Sequence, residues 1–458
     1  MELFARDELE EAIETLHIAT AFFTVDPVVD ELLSMVDWPN GGKRLVESSA
    51  GDGAFLAAAL RKLLAARPEV RDNEISVLMR GYEIHQATAY EARGRLEQIL
   101  VDHGRSRSAA RAVAHDVVIH GDFVKDCPDG PQWDCSIGNP PFWRMAHVPD
   151  VLRSVYERTL PSYSLADLLH GFIAKCAATL KHGGELAFVG SDRWMFSSSA
   201  AELRQVIGER FGIAHLRRLD CSSSFYRPKN RKAGQPPRIH PVAVCLRDTK
   251  DCVKQLSRLP VYPDADTGSV EGLRTLGEVA KVRLGPWLGP HGIFVVGPDV
   301  AATLPPEVLV PVVDTDNIKG GVYSPPSKFA IRTIPGEEPC SAVMAHLDAH
   351  LHRMPKSKQR TEKRWLPPET FARVDLSQPT LLVPRIASTL RPVRIPAGVL
   401  AIDHGISIVA AGEATLDELE EELRRPEAES WIRARAPRLE NNYWSVTTTL
   451  LRQLPVSL

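Results

Sequence analysis

Long apolar runs are missing from this chain: none of its 458 residues falls in a stretch of the roughly 18 apolar positions that a membrane-spanning helix needs. The N-terminal MELFARDELEEAIETL carries acids where a secretory leader has a basic flank and an apolar stretch, so a signal peptide is not expected and the expected location is the cytoplasm. Cysteine is sparse. Cys127, Cys135, Cys176, Cys221, Cys245, Cys252 and Cys340 stand singly, without a CxxC pair or a Cys/His cluster at zinc-ligand spacing, so the reading holds no disulfide scaffold and no metal. There is no internal repeat and no low-complexity tract, and no excess of one charge: 55 Lys and Arg face 58 Asp and Glu, a net charge of -3. A near-neutral total neither argues for a polyanionic partner nor against one, because what matters is where the charges gather.

What is present reads as a folded protein of two or three domains, with 44% hydrophobic and 25% charged residues over a length beyond one ordinary domain. The charges do gather. Residues 227–232 read RPKNRK and residues 353–364 read RMPKSKQRTEKR, with Arg385, Arg391 and Arg394 close behind, while acids concentrate near 7–14 and 416–422. A basic run is ordinarily a solvated loop; two of them beyond a catalytic motif point toward phosphate contacts.

From about residue 43, short apolar strands alternate with helical segments: RLVESSA then AFLAAALRKLLAA, VLMRGYEI then HQATAYEARGRLEQIL, then VVIHGDF, CSIGNPP, a helix near 164–180, and GELAFVGS. That alternation predicts an α/β, doubly wound, mostly parallel seven-stranded sheet with ligands at the carboxyl ends of its strands. HPVAVCLRD supplies the last strand, so the first domain is expected over 1–250. Residues 259–335 are rich in Pro and Gly with short apolar strands between turns, and a helical stretch near 337–352, strands LLVPRI and GISIVAA, and the helix TLDELEEELRR follow. This predicts a β-rich α+β second domain over 251–458.

Four groups of residues carry chemistry. Glu47 with Gly51-Asp52-Gly53 sits in a strand-to-helix turn, where glycines let a ligand approach the backbone and the helix presents free N–H groups; alone it does not separate nicotinamide, nucleotide and sulfonium cofactors. Glu83, ending the next strand, is placed to accept ribose hydroxyls, or is simply an exposed strand-end acid. Asp122 and Phe123 offer an acceptor for an adenine amino group and a ring to stack on it. The fourth group is Asn139-Pro140-Pro141-Phe142. At average residue usage such a tetrapeptide arises by chance in a chain this long about once in two hundred. Proline fixes φ and keeps the residue before it out of helical geometry, so the turn is stiff. The lone pair of an adenine N6 is delocalised into the ring, and acceptors on its two protons draw it toward tetrahedral geometry. The Asn139 oxygen and the Pro140 carbonyl are those acceptors, and Phe142 holds the ring.

With these motifs in this order the chain resembles the class I S-adenosylmethionine-dependent methyltransferases, and more narrowly the DNA adenine-N6 methyltransferases of restriction–modification type that end in a target-recognition domain. Ordered motifs cover residues 20–248, and 270–458 match more loosely. Phe22-Phe23-Thr24-Val25-Asp26-Pro27 is similar to the family's motif before the first strand, which implies that Thr24 contacts the methionine part of the cofactor. The resemblance implies S-adenosylmethionine at Thr24, Glu47, Gly51, Gly53, Glu83, Asp122, Phe123 and Phe172. It implies a flipped adenine held between Phe142 and Phe225, with Tyr226 as the alternative to Phe225. Arg353, Lys356, Lys358, Arg360, Lys363 and Arg364 are the candidates for positioning phosphates. Two departures stand out: Ser48 occupies a place where the family usually has proline, and KNRKAGQPPRI lengthens the segment after Phe225. The implied partners are duplex DNA and, as a candidate, a restriction endonuclease or other defence-system protein, with no membrane. Competing readings are an RNA methyltransferase acting on adenine N6 or guanine N2, a protein glutamine methyltransferase, and an inactive specificity subunit of a defence complex.

Overall fold

The computed structural model describes residues 6–226, 240–249, 251–263, 273–355, 363–437, 439 and 443–458. The chain divides into two compact units, Met1–Pro263 and Asp264–Leu458. The first is built on one sheet with strands β1 (Leu45–Glu47), β2 (Met79–Glu83), β3 (Val118–His120), β4 (Trp133–Gly138), β5 (Leu180–Ser191), β6 (Gly212–Arg218), β7 (Pro241–Arg247) and β8 (Lys254–Gln255). Their order across the sheet is β3-β2-β1-β4-β5-β7-β6-β8. Strands β3 to β5 in that order are parallel. β7 runs antiparallel between β5 and β6.

A parallel sheet joined by crossover helices is covered on both faces, so its strands must be apolar on both sides. β5 shows this: Leu186 and Phe188 enter one apolar layer while Ala187 and Val189 enter the other. Helices Asp26–Ser34, Ala54–Ala66, Gln86–Asp102 and Arg107–Val117 fill the second layer, and Arg6–Thr20, Asp150–Thr159 and Leu168–Thr179 the first. The sheet has eight strands where the sequence led us to expect seven. The extra one, β8, is two residues paired antiparallel to the outer edge of β6; a strand so short has no alternation to read. It also carries the first unit past residue 250, to Pro263.

The second unit holds two four-stranded sheets. In one, Ala280–Leu284, Gly405–Ala410, Thr380–Pro384 and Val393–Ile395 lie side by side, all antiparallel. Helices Leu416–Arg424 and Pro426–Arg435 cover it through Leu419, Leu423, Ala428 and Ile432. The other joins Val295–Val296, Lys328–Ile331, Leu309–Val313 and Leu400–Ala401. No helix among the described residues is long and apolar enough to cross a membrane.

Candidate active site

The carboxyl ends of β1, β2, β3 and β4 open on one cleft. Each strand delivers its group by ending: Glu47 closes β1, Glu83 closes β2, Asp122 follows β3 and Asn139 follows β4. Thr24, Gly51, Phe123, Phe172 and Pro141 line the same space.

Asn139 is held by a specific arrangement. Its Nδ2 donates to the Phe22 carbonyl at 2.7 Å, while its Oδ1 is buried with no hydrogen-bond partner among the described residues. Its own carbonyl takes the Ser49 hydroxyl at 3.1 Å. One end of the amide is therefore fixed, and an acceptor is left over on a residue that lines the cleft. A buried polar atom without a partner costs about 1–3 kcal/mol, a cost that persists where a ligand is to meet it. The Thr24 hydroxyl is a second orphan of this kind on the same wall.

Four buried carboxyls line the cleft: Glu47, Asp52, Glu83 and Asp122. Glu83 Oε2 accepts from Gly51 N at 2.8 Å and its Oε1 from His85 N at 2.9 Å, and the Ile84 N–H bonds the same carboxyl. Burial nonetheless pushes Glu83 up to about 7. Asp122 caps a short helix through Val124 N at 2.9 Å, and burial pushes it up to about 6 while the Tyr156 hydroxyl, bonded to it, pulls the other way. Glu47 lies well above the usual carboxylate range, first because it is buried and then because Asp52 is near. A group of this kind suits a ligand that brings hydroxyl donors and positive charge. Phe123 packs edge-on against Tyr82 and near-parallel to Phe172, with ring centroids 5.5 and 6.0 Å apart.

Other expected residues sit elsewhere. Gly53 is not in the cleft wall: it is the left-handed cap of the helix Ala54–Ala66, at φ +82°, and a Cβ there would lie 3.0 Å from the backbone of Ala92. Pro140 is buried, and neither it nor Phe142 is among the lining residues, whereas Pro141 is. Phe225 pairs with Thr24 in a two-residue ribbon and packs half-buried against the apolar layer of the sheet rather than lining the cleft. Its neighbour Tyr226 donates its hydroxyl to Asp52, which also takes Arg95 at 2.8 Å. The ring that does stand parallel to Phe142 is Phe22, with centroids 6.1 Å apart and planes 11° from parallel. Sequence reasoning missed Phe22, and it missed Leu16, Thr20 and Tyr156, which also line the cleft. The amphipathic spacing of Ala12 and Leu16, both buried, is the signal that could have marked the N-terminal helix as a wall.

The expected phosphate contacts fare differently. Arg353 donates to the His291 carbonyl at 2.8 Å and Arg364 to Asp348 at 3.1 Å, and both side chains stay exposed. Lys363 adopts φ +53° and stays exposed. Lys356, Lys358 and Arg360 lie outside the described residues, as do the basic run 227–232 and the stretch 229–239.

The sheet order, with one antiparallel strand inserted beside the fifth, and the cleft at its carboxyl edge define the class I S-adenosylmethionine-dependent methyltransferase fold. S-adenosylmethionine is the cofactor of that class, and the donor and acceptor set described above fits it. Residues 96–224 match the family model of the Eco57I restriction-modification methylase. The type II methyltransferase M.PaeR7I of Pseudomonas aeruginosa is 31% identical over 289 residues, 58% of this chain and 49% of that protein, so the aligned stretch spans about half of that relative. M.XhoI of Xanthomonas vasicola is 24% identical over 95% of this chain and 90% of its own length. Among solved structures, the type IIL restriction-modification enzyme MmeI in complex with DNA superposes with a TM-score of 0.61 at 14% identity, covering 98% of this chain and 65% of that one. The resemblance to restriction–modification methyltransferases holds.

Proposed function

We propose that the chain transfers a methyl group from S-adenosylmethionine to N6 of an adenine rotated out of a specific duplex DNA sequence, with the second unit as the target-recognition domain. The observation that carries this is the Asn139 amide, locked at Nδ2 by the Phe22 carbonyl and presenting an unpartnered Oδ1.

The cofactor supplies an electrophilic methyl. Glu83 would hold its ribose, Asp122 and Phe123 its adenine, and Thr24, Glu47 and Phe172 the remainder. Asn139 Oδ1 accepts one N6 proton and the Pro140 carbonyl the other, which localises the nitrogen lone pair, and both bonds strengthen as N6 becomes positive. When bound, the cofactor would supply the methyl, the sulfur keeping the electron pair of the broken bond while the N6 lone pair held by these acceptors makes the new one. An amide is no base, so the N6 proton passes to water. Phe142 supplies one wall for the extruded base. Extrusion costs a few kcal/mol, met by this stacking and by phosphate contacts. The relatives named above make a restriction endonuclease a natural partner.

Incubation with labelled cofactor and either duplex DNA or total RNA, followed by identification of the methylated base, tests the proposal. N6-methyladenine in DNA is expected. Label in RNA alone, or on guanine, would assign the site to the RNA reading.

A further inference from the structure

The second unit has a groove of its own at the carboxyl ends of the strands Leu309–Val313 and Thr380–Pro384. Strands from both sheets of this unit meet through one small apolar cluster, Val313, Ile318, Leu382, Val393 and Ile395 among its members, so the segments that follow them start from a fixed base. After the first strand the chain turns through Gly320 and Gly321, both with positive φ, and the Arg391 stem lies over Gly321, its Cδ 3.5 Å from where a Cβ would be. After the second, a ribbon pairs Ile386 with Ser445 and Ala387 with Trp444.

The wall is unlike the other clefts of this unit. One of those is lined by Asp417, Glu420 and Glu421, with Arg394 and Arg424 already paired to Glu420. Another sets Asp375 against Lys281 and Arg283. Here no carboxylate lines the groove among the described residues, and the groups that do are exposed Arg391 and Ser388, Thr389, and Lys319, which is paired at 3.0 Å to Asp316 beside it. Two apolar side chains, Ile386 and Tyr443, stand exposed beside them, at 48% and 43%.

A guanidinium fork and hydroxyls in the segment after a short two-stranded ribbon, with exposed apolar groups beside them, are the set that reads base edges in a major groove: the fork takes guanine O6 and N7, hydroxyls take either partner of a pair, and apolar groups meet a thymine methyl. We infer that this groove reads the target sequence and that Arg391 specifies a guanine. The inference rests on the methyltransferase reading proposed above. It names a base-reading residue apart from the 353–364 run, whose expected task was to position phosphates.

The test is to express the whole protein, Arg391→Ala and Arg391→Lys in a host without adenine methylation of its own and to map every methylated site. Lysine keeps the charge and loses the fork. The wild type should mark one motif. Both variants should mark a motif degenerate at one guanine, with discrimination there reduced about tenfold to a hundredfold. An unchanged motif in both variants overturns the inference. So does a uniform loss of methylation in Arg391→Ala that Arg391→Lys restores, which is the behaviour of a phosphate contact. No methylated motif in the wild type would instead overturn the methyltransferase reading itself, and this inference with it. Arg391 is exposed, and thermal unfolding of each variant confirms that the fold is intact.

Discussion

On the proposed reading two side chains, Asn139 and Glu83, carry most of the chemistry, and each makes a sharp expectation. Asn139→Ala removes the acceptor, and kcat should fall by about 10²–10³, the usual loss for one preorganised group at a developing charge. Asn139→Asp keeps an acceptor but loses the donor to the Phe22 carbonyl, so it should retain more activity than the alanine variant in steady-state assays. Equal loss would mean that the side-chain oxygen is not the acceptor. Glu83 governs pH. In the fold it keeps its proton up to about pH 7, against an ordinary value of 4.5. Between those values the folded empty protein binds more protons than the unfolded chain, so its stability should fall as pH rises through that window. Ribose hydroxyls donate to the ionised form, so cofactor binding should tighten through about pH 7 and release a proton, with Asp122, at about 6, adding in the same sense. Calorimetric titrations below and above neutrality measure this. An affinity that is flat or weakens with pH would remove Glu83 from the ribose, and Glu83→Gln should abolish most of the dependence.

Among elements, the strand-to-helix turn shows how a functional motif can hide a structural requirement. Gly51 gives its N–H to Glu83 within the cleft, whereas Gly53 is there because its φ of +82° and the backbone of Ala92 leave no room for a side chain. Gly53→Ala should therefore cost about 1–3 kcal/mol of stability and lower the melting temperature. At saturating cofactor, kcat should change little; a selective loss of cofactor affinity without destabilisation would return Gly53 to the site. The parallel strands and their terminal acids were legible because each is local: an apolar run, an acid, a glycine turn. β8 was not, since Lys254 and Gln255 owe their strand to the edge of β6. Phe22 was read only as part of a motif, because its pairing with Phe142 joins residues far apart in the chain.

For the whole molecule, composition locates the charged runs and leaves open what each cation meets. Basic runs beyond the catalytic motif suggested phosphate contacts, but the fate of each cation is decided by tertiary neighbours that sequence spacing does not reveal. Arg394 is taken by Asp417 and Glu420 on the helix Leu416–Arg424, Arg364 by Asp348, and Arg391 is left at an open groove. On the proposed reading a fixed amide oxygen activates an amine beside a methyl donor. Single-turnover methyl transfer to a duplex by Asn139→Ala, with cofactor affinity measured on the same preparation, tests it most directly. Transfer should be lost by at least about a hundredfold while cofactor binding stays within a few-fold of wild type. Transfer at the wild-type rate, or its loss together with cofactor binding, would contradict the account.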